Sequence, residues 1–316
     1  MSKPRRFYRD VDGILLLDKP LGLSSNAALQ QARGIFGARK AGHAGSLDPL
    51  ASGLLPICFG QATKVCGRLL DASKSYLVDV QLGARTESLD CETEIIEQAP
   101  VPPLDTDGVD AVLASFMGEQ TQVPPMHSAL KYQGQRLYEL ARRGESVERP
   151  ARRIVIHHIE RRGLDNHRLE FEVRCSKGTY IRSLAADIAA RLGTLGYLAG
   201  LRRLSVDPFD AYPMQTLETL AGMREQGTAA LDGLLLGADV AFADLASVHL
   251  NAAATQMLLL GQAVAAGIGT GQGGASLRAY GEGGCFLGLV EGREDGQVQP
   301  VRLFVNVAGT DTPDIP

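Results

Sequence analysis

Residues 168–193 read RLEFEVRCSKGTYIRSLAADIAARLG, and the spacing of their apolar side chains changes partway through. In RLEFEVRCS apolar and polar residues alternate, which puts one set on each face of a β-strand. After the turn at Gly178, the run AADIAARLG repeats at helical spacing and stops at Gly193, a residue suited to ending a helix. Strands and helices follow one another along the rest of the chain. GILLL (13–17) predicts a short buried strand closed by the turn residues DKP and GLSS. Ser24 and Ser25 stand where an N-cap belongs, ahead of the amphipathic NAALQQARGIFG. YLVDVQLG (76–83) alternates like a half-buried strand, QAPVPPLDTD (98–107) is a loop, VDAVLASFMG is helical, and RRIVIHHIE is again a strand. These are not regular βαβ units, so the chain predicts an α+β fold.

At roughly 150 residues per domain, 316 residues suggest one large domain and a smaller one. The composition shifts near residue 245. Beyond it come glycine-rich turns and short alternating strands: CFLGLVEG, the hairpin turn REDGQ, then VQPVRLFVNV. The expected division is 1–245 and a small β-rich domain over 246–316, with GIGTGQGGAS (267–276) as a flexible loop. An apolar content of 45% suffices for a real core. The net charge of −4 argues against a simple polycationic nucleic-acid binder, but the charge is segregated. Residues 1–85 carry 12 basic and 6 acidic side chains, and 127–205 carry 16 and 8. Residues 86–126 carry no basic and 9 acidic ones, and 206–316 carry 4 and 13. Two basic blocks brought together would make a positive face on an acidic protein. The five cysteines are an odd count without a C-x-x-C pair, which signals neither a disulfide framework nor a zinc site. No apolar run has the length of a signal-peptide core or a membrane span, so the expectation is a cytoplasmic protein.

Four segments carry candidate chemistry. In GHAGSLDPLASG (42–53), Pro49 biases Asp48 away from the helical region and the glycines let a ligand approach the backbone. Asp48 is then a presented carboxylate, or else an ordinary N-cap with proline at the first helical position. His43 faces a ligand or is a satisfied loop histidine. In CSKGTYIRSL, Tyr180 and Arg182 are two apart and share a face if the backbone there is extended, a pair suited to stacking a base and balancing a carboxylate. The alternative is a strand-edge tyrosine beside a solvated arginine. Tyr76, after Lys74 at a strand start, says little alone. The interleaved Lys131, Arg136, Arg142, Arg143, Arg149, Arg152 and Arg153 fit a phosphate footprint, although a solvated helix face also carries such residues.

The ordered series GILLLDKPLGLSSN, AGHAGSLDPLASGLLPICFGQATK, KSYLVDVQLGARTESLD, PPMHSALKYQGQRLYELARRG, CSKGTYIRSLAADIAARLG, LRRLSVDPF and FLGLVEGREDGQVQPVRLF resembles the TruB-type tRNA pseudouridine synthases over nearly the whole chain. The resemblance implies a mixed, mainly antiparallel sheet flanked by helices and a C-terminal PUA-like RNA-gripping domain. It implies isomerisation of the T-loop uridine (position 55 in tRNA numbering) to pseudouridine. Asp48 matches the catalytic aspartate of G-x-L-D-P-x-A-x-G, Tyr76 the tyrosine that stacks on the uracil, and Arg182 the arginine that pairs with the aspartate. Tyr180 matches the tyrosine of G-T-Y-I-R, Leu201 an apolar contact at the base, and His43 the histidine that enters the opened T loop. Lys64 and Lys19 lie in matching basic motifs, as substrate contact or support. Three stretches depart from the pattern. His127 stands where the family has Tyr, TESLDCETE keeps only part of an acidic turn that ends in Gly, and Ala44 and Ser46 replace other small residues.

The isomerisation needs a glycosidic bond broken, a base rotated and a carbon–carbon bond made, without redox change or group donor. Accordingly no cofactor is expected, and no P-loop is present in the sequence. Asp48 suits positive charge developing at C1′, as nucleophile or as base at C2′. A neighbouring Arg182 would favour its ionised form. The expected partner is the T stem-loop of tRNA, bound by a monomer with no obligate protein partner and no membrane. The competing readings are a non-catalytic RNA-binding module on the same basic residues, and an aspartate-dependent glycoside hydrolase. The hydrolase needs a second carboxylate near Asp48, where the neighbouring sequence supplies Arg and Lys.

Overall fold

GILLLDK is apolar enough to be buried on both faces, and it forms β1 (Gly13–Lys19) inside the molecule. The computed structural model describes residues 8–128, 130–141, 143–145, 147–267 and 273–304. Arg142 and the centre of the 267–276 loop lie outside those residues. After β1, the Ser24 side chain accepts from the Ala27 amide and starts α1 (Ser25–Phe36), which ends on Gly37 in the left-handed conformation. Next come β2 (Ala41–His43), β3 (Ala51–Phe59), α2 (Cys66–Asp71) and β4 (Lys74–Leu82). A small hairpin, β5 (Ala84–Thr86) and β6 (Ile95–Gln98), precedes α3 (Thr106–Ala114) and β7 (Gly118–Gln122). The basic stretch is not one helix. It divides into β8 (Lys131–Tyr132), β9 (Gln135–Arg136), the short α4 (Leu137–Ala141) and the long strand β10 (Arg152–Leu164). Then follow β11 (Arg168–Cys175), α5 (Ile181–Arg191) and β12 (Gly196–Val206).

These strands make an eight-stranded sheet in the order β1-β3-β12-β4-β11-β10-β7, with β2 added on β3. Every pairing along it is antiparallel except β3 with β12. The fold is therefore α+β with a mixed, mainly antiparallel sheet. One core lies where α3 and α5 cover β4, β10 and β11, around Val78, Phe171, Val173 and Ile188. Another lies where α1 packs on β1 and β3, around Leu15, Phe36 and Phe59, together with α6 (Leu217–Glu225) and α7 (Thr228–Asp232).

The C-terminal part has its own sheet and core. Five strands, β13 (Ser247–His249), β14 (Val264–Ala265), β15 (Ser276–Tyr280), β16 (Phe286–Gly292) and β17 (Gln297–Leu303), pair in the order β13-β15-β16-β17-β14. With α8 (Ala252–Leu259) they enclose Val248, Leu258, Leu277, Val290 and Val298. This lobe is docked rather than tethered. Phe286, Leu289 and Phe304 pack into a cluster with Val206, Phe209 and Phe242, while the Lys64 amine donates to the Leu303 carbonyl at 2.7 Å.

The structure corrects the picture of two free basic blocks. Acidic residues from the other blocks neutralise much of them: Arg9 pairs with Asp232, Arg68 with Asp244, Arg85 with Glu97, Arg161 with Asp110 and Arg174 with Asp207 and Asp210. Arg152 and Arg153 are exposed and have no ion pair among the described residues.

The parallel β3–β12 contact is tight at one point. Gly53 has φ +97°, and a Cβ there would lie 2.2 Å from the Arg203 carbonyl oxygen. Only glycine relieves both restraints. Gly53→Ala is expected to cost about 3 kcal/mol or more, read as a lower urea midpoint at unchanged slope. A loss under about 1 kcal/mol would show that the two strands are not this close.

Candidate active site

Three neighbouring strands bring the site together. Ala51, at the start of β3, pairs with Leu201 of β12, and Tyr76 of β4 pairs with Arg203 of the same strand. The loop before β3 therefore arrives beside Leu201 and Tyr76. That loop is Ala44–Leu50, and its conformation is anchored at several main-chain points. The Ala44 amide donates to Pro56 O at 3.1 Å, and the Gly22 amide to Pro49 O at 2.8 Å. Ser25, buried in the first turn of α1, accepts from the Leu47 amide at 2.7 Å and donates to its carbonyl at 3.0 Å. No helix follows Asp48: the Asp48 carbonyl accepts from Ala51 N in a turn that leads into β3. The N-cap alternative is thus excluded. Its carboxylate is 48% exposed.

Tyr180 and Arg182 do not lie on one extended segment. Tyr180 has extended backbone but is the residue before α5, and Arg182 occupies the first turn of that helix. What brings them to the site is the helix start. The Gln122 side chain clamps Tyr180, accepting from its amide at 2.8 Å and donating to its carbonyl at 3.1 Å. A cation in a first helical turn opposes the helix dipole, and Arg182 is nearly buried, so it requires carboxylates. It has two. One nitrogen lies 3.2 Å from Asp48 Oδ2, the other 3.1 Å from Asp90 Oδ2. Arg182 also donates to the carbonyls of His127 at 2.7 Å and Ser88 at 3.2 Å.

Asp90 is the site residue that sequence reasoning missed. Its side chain is 1% exposed, and its other oxygen accepts from the Ser88 hydroxyl and from the Glu92 amide at 3.0 Å. The signal was in TESLDCETE, which the sequence reading treated only as a departure from a pattern. Glu92 lines the same cavity, and its carboxyl is held above the usual range by burial and by the nearby charges of Asp90 and Asp48.

These groups line one cavity of about 1530 Å³, together with His43, Ser46, Tyr76, His127, Ser128, Tyr180 and Leu201. Tyr76 is buried, and that burial raises its phenol pKa. His43 ends β2; burial first, and the charge of Arg203 second, push its imidazole below its ordinary value. Around the cavity, His43 Nδ1, His127 Nε2 and Ser128 Oγ have no hydrogen-bond partner among the described residues. Lys19 and Lys64 do not line it. Lys19 is wholly buried and donates to the carbonyls of Pro20 and Leu23, and Lys64 sits at the joint with the C-terminal lobe. Among the described residues no cluster has the make-up of a metal site, and no helix is long and apolar enough to cross a membrane.

The arrangement offers an accessible carboxylate fixed by a guanidinium, an aromatic face and an apolar wall, in a space large enough for a nucleotide. Comparison with known proteins gives the chain's relatives. The model of the TruB family pseudouridylate synthase N-terminal domain matches residues 33–181. That of the tRNA pseudouridylate synthase B C-terminal domain matches 182–243, and that of the pseudouridine synthase II TruB C-terminal region matches 246–304. The chain is 48% identical to the tRNA pseudouridine synthase B of Nitrosococcus oceani, over 98% of this chain and 100% of that protein. It is 46% identical to that of Chromohalobacter salexigens, over 95% and 96%. Among solved structures, a chain of a Cbf5-Nop10-Gar1 complex superposes with a TM-score of 0.71 at 23% identity, covering 96% of this chain and 91% of that one. A chain of an H/ACA RNP bound to a substrate RNA containing 2′-deoxyuridine gives 0.70 at 21% identity, covering 97% and 92%. At that identity the likeness concerns the fold.

Removing Asp90 leaves a nearly buried cation with the half-exposed Asp48 as its remaining carboxylate partner. Asp90→Ala is expected to destabilise the protein by about 3 kcal/mol or more in urea unfolding. A loss below about 1 kcal/mol would mean that the pair behaves as a solvated one.

Proposed function

The chain belongs to the TruB family of pseudouridylate synthases, and from that premise we propose that it converts the T-loop uridine of tRNA, position 55, to pseudouridine. The observation that carries this reading is Asp48: a carboxylate open to the cavity, 3.2 Å from a nearly buried arginine whose other partner is a second, closed carboxylate. The target nucleotide leaves its stack and enters the cavity, where stacking on Tyr76 offsets part of the unstacking, about 1–3 kcal/mol per base. Leu201 is the apolar wall against the base and Tyr180 flanks it from the start of α5. Asp48 acts at the sugar, as nucleophile at C1′ or base at C2′, while the N1–C1′ bond breaks. The base turns, C5 bonds to C1′, and the proton lost from C5 is balanced by one gained at N1. Atoms are conserved throughout, so no donor or redox partner is needed.

Arg182 holds Asp48 in place, because Asp90 has already fixed the guanidinium. His43, at the rim and neutral near pH 7, occupies the space the nucleotide leaves in the T loop. Lys19 and Lys64 are supports: the first braces the turn after β1, the second the joint between lobes. Residues 1–245 form the catalytic unit and 246–316 the PUA-like unit that grips RNA beyond the T loop. The protein works as a cytoplasmic monomer.

A hydrolase would employ a second carboxylate beside Asp48. Asp90 is closed to solvent, with one oxygen accepting from Ser88 and the Glu92 amide and the other paired with Arg182, so it is not placed to activate a water. Glu87 and Glu92 also line the cavity, so the choice against a hydrolase rests on the family to which the chain belongs and not on the lack of a second carboxylate.

Two experiments test the proposal. Asp48→Asn should abolish pseudouridine formation in T-loop RNA, by a factor of about 10³ or more, as read by mass spectrometry, with RNA affinity retained within a few-fold. Undiminished product would remove Asp48 from its role and favour a binding module. Second, because many arginines are already paired internally, the salt dependence of binding should be modest. The slope of log association constant against log salt is expected between about −2 and −4. A flat response would count against phosphate contacts altogether.

A further inference from the structure

Arg203 heads the largest fully buried side chains of the molecule, at 1% exposure. An arginine that deep ordinarily has a carboxylate partner. Among the described residues Arg203 forms no ion pair with one; its hydrogen bonds go to main-chain carbonyls, from Nε to Leu54 O at 2.6 Å and from an η nitrogen to Gly45 O at 2.9 Å. Burying a guanidinium this way is expensive, and an apolar side chain of similar volume would fill the space at lower cost. The location suggests what is gained instead.

The guanidinium lies where three pieces of the site meet. Leu54 belongs to β3, Gly45 to the loop that holds Asp48, and the third neighbour is Tyr76 on β4, directly opposite Arg203 in the β4–β12 register. Gly45 has φ +80°, and a Cβ there would fall 3.3 Å from an Arg203 η nitrogen and 3.6 Å from Lys74 Cε. The loop therefore rests directly on the arginine. No other described side chain bonds to the Gly45 carbonyl. The planar fork has donors in fixed directions, so it sets distances among its partners in a way that a flexible ammonium does not.

We infer that Arg203 is a positioning residue: its guanidinium sets the Asp48 loop against β3 and the Tyr76 ring, and so fixes the gap in which the nucleotide reacts. This rests on the reading of Asp48 and Tyr76 given above. Arg203 touches neither base nor sugar and acts through Gly45, Leu54 and Tyr76. Lys74, buried beside it, donates to the carbonyls of Leu69, Leu70 and Ala72, so it is committed to closing α2 and does not substitute for the fork.

The test uses the full-length protein and a T-loop RNA, with Arg203→Lys, Arg203→Met and Asp48→Asn compared to wild type. Single-turnover conversion, RNA affinity and the NMR titration of the His43 imidazole are measured. Arg203→Lys keeps the charge and loses the fork; its rate should fall about tenfold to a hundredfold, with affinity within about threefold and the His43 titration unmoved. Arg203→Met should be slower still, and its His43 titration should move up, since a neighbouring positive charge has been removed. If Arg203→Met does not fold, Gly45→Ala disturbs the same joint from the loop side and should reproduce the rate loss without the His43 change. A wild-type rate in Arg203→Lys, beside an inactive Asp48→Asn, overturns the inference alone. A rate loss matched by an equal affinity loss also overturns it. An undiminished Asp48→Asn overturns the functional reading, and the inference falls with it.

Discussion

A guanidinium shared by two carboxylates of unequal exposure governs this site. Arg182 stands in a first helical turn, where the dipole repels it and solvent scarcely reaches it, so it stays only because negative charge surrounds it. Asp90 supplies that charge from inside, with every available oxygen bonded. Asp48 supplies it from the cavity side, with nearly half its surface open. The closed carboxylate fixes the arginine, and the arginine then fixes the open one. Neither half suffices. Without Asp90 the arginine would have to be held by Asp48 alone, and a carboxylate committed to that task has less freedom to meet a sugar.

The same economy appears below the cavity floor. Lys19, Lys74 and Arg203 are all buried, and among the described residues their hydrogen bonds go to main-chain carbonyls rather than to acids. Carbonyl partners satisfy donors without cancelling charge. A positive field consequently persists under the loop, and it reaches His43, whose imidazole it helps to keep neutral. Linkage gives the sign of the consequence. A histidine with a lowered folded pKa binds fewer protons when folded, so stability declines as pH falls through the unfolded value near 6.5 and levels off below the folded one.

Much of the fold was legible because it depends on local period. β1, β4, β10 and β11 follow the runs GILLL, YLVDVQLG, RRIVIHHIE and RLEFEVRCS, and α1 starts at the serine pair that predicted it. The site was legible residue by residue but not as geometry. GSLDPLASG has the local chemistry of a helix cap, and only the strand pairing of Ala51 with Leu201 decides otherwise. The extended-chain premise for Tyr180 and Arg182 failed because the helix begins at Ile181, about one turn before the periodic alanines make it evident. Asp90 was missed since a buried, saturated aspartate looks in sequence like any acidic turn residue. Its partner is 92 positions away.

Charge segregation was legible as arithmetic and misleading as a surface. The acidic blocks fold onto the basic ones, so the count of basic residues in a block says little about what an RNA would meet. What survives the pairing is more local. Arg152 and Arg153 begin β10, where they pair in register with Gln122 and Thr121 of β7, and Gln122 is the residue that clamps Tyr180 at the cavity. These two exposed cations thus lie across the strand pair from the group that positions the site, while Lys40, Arg191, Arg224 and Arg302 are also exposed without an ion pair among the described residues. On a protein of net charge −4, arginines already paired with acids add little to the field beyond the screening length of roughly 8–10 Å, so any attraction of an anion rests on the cations left without such partners.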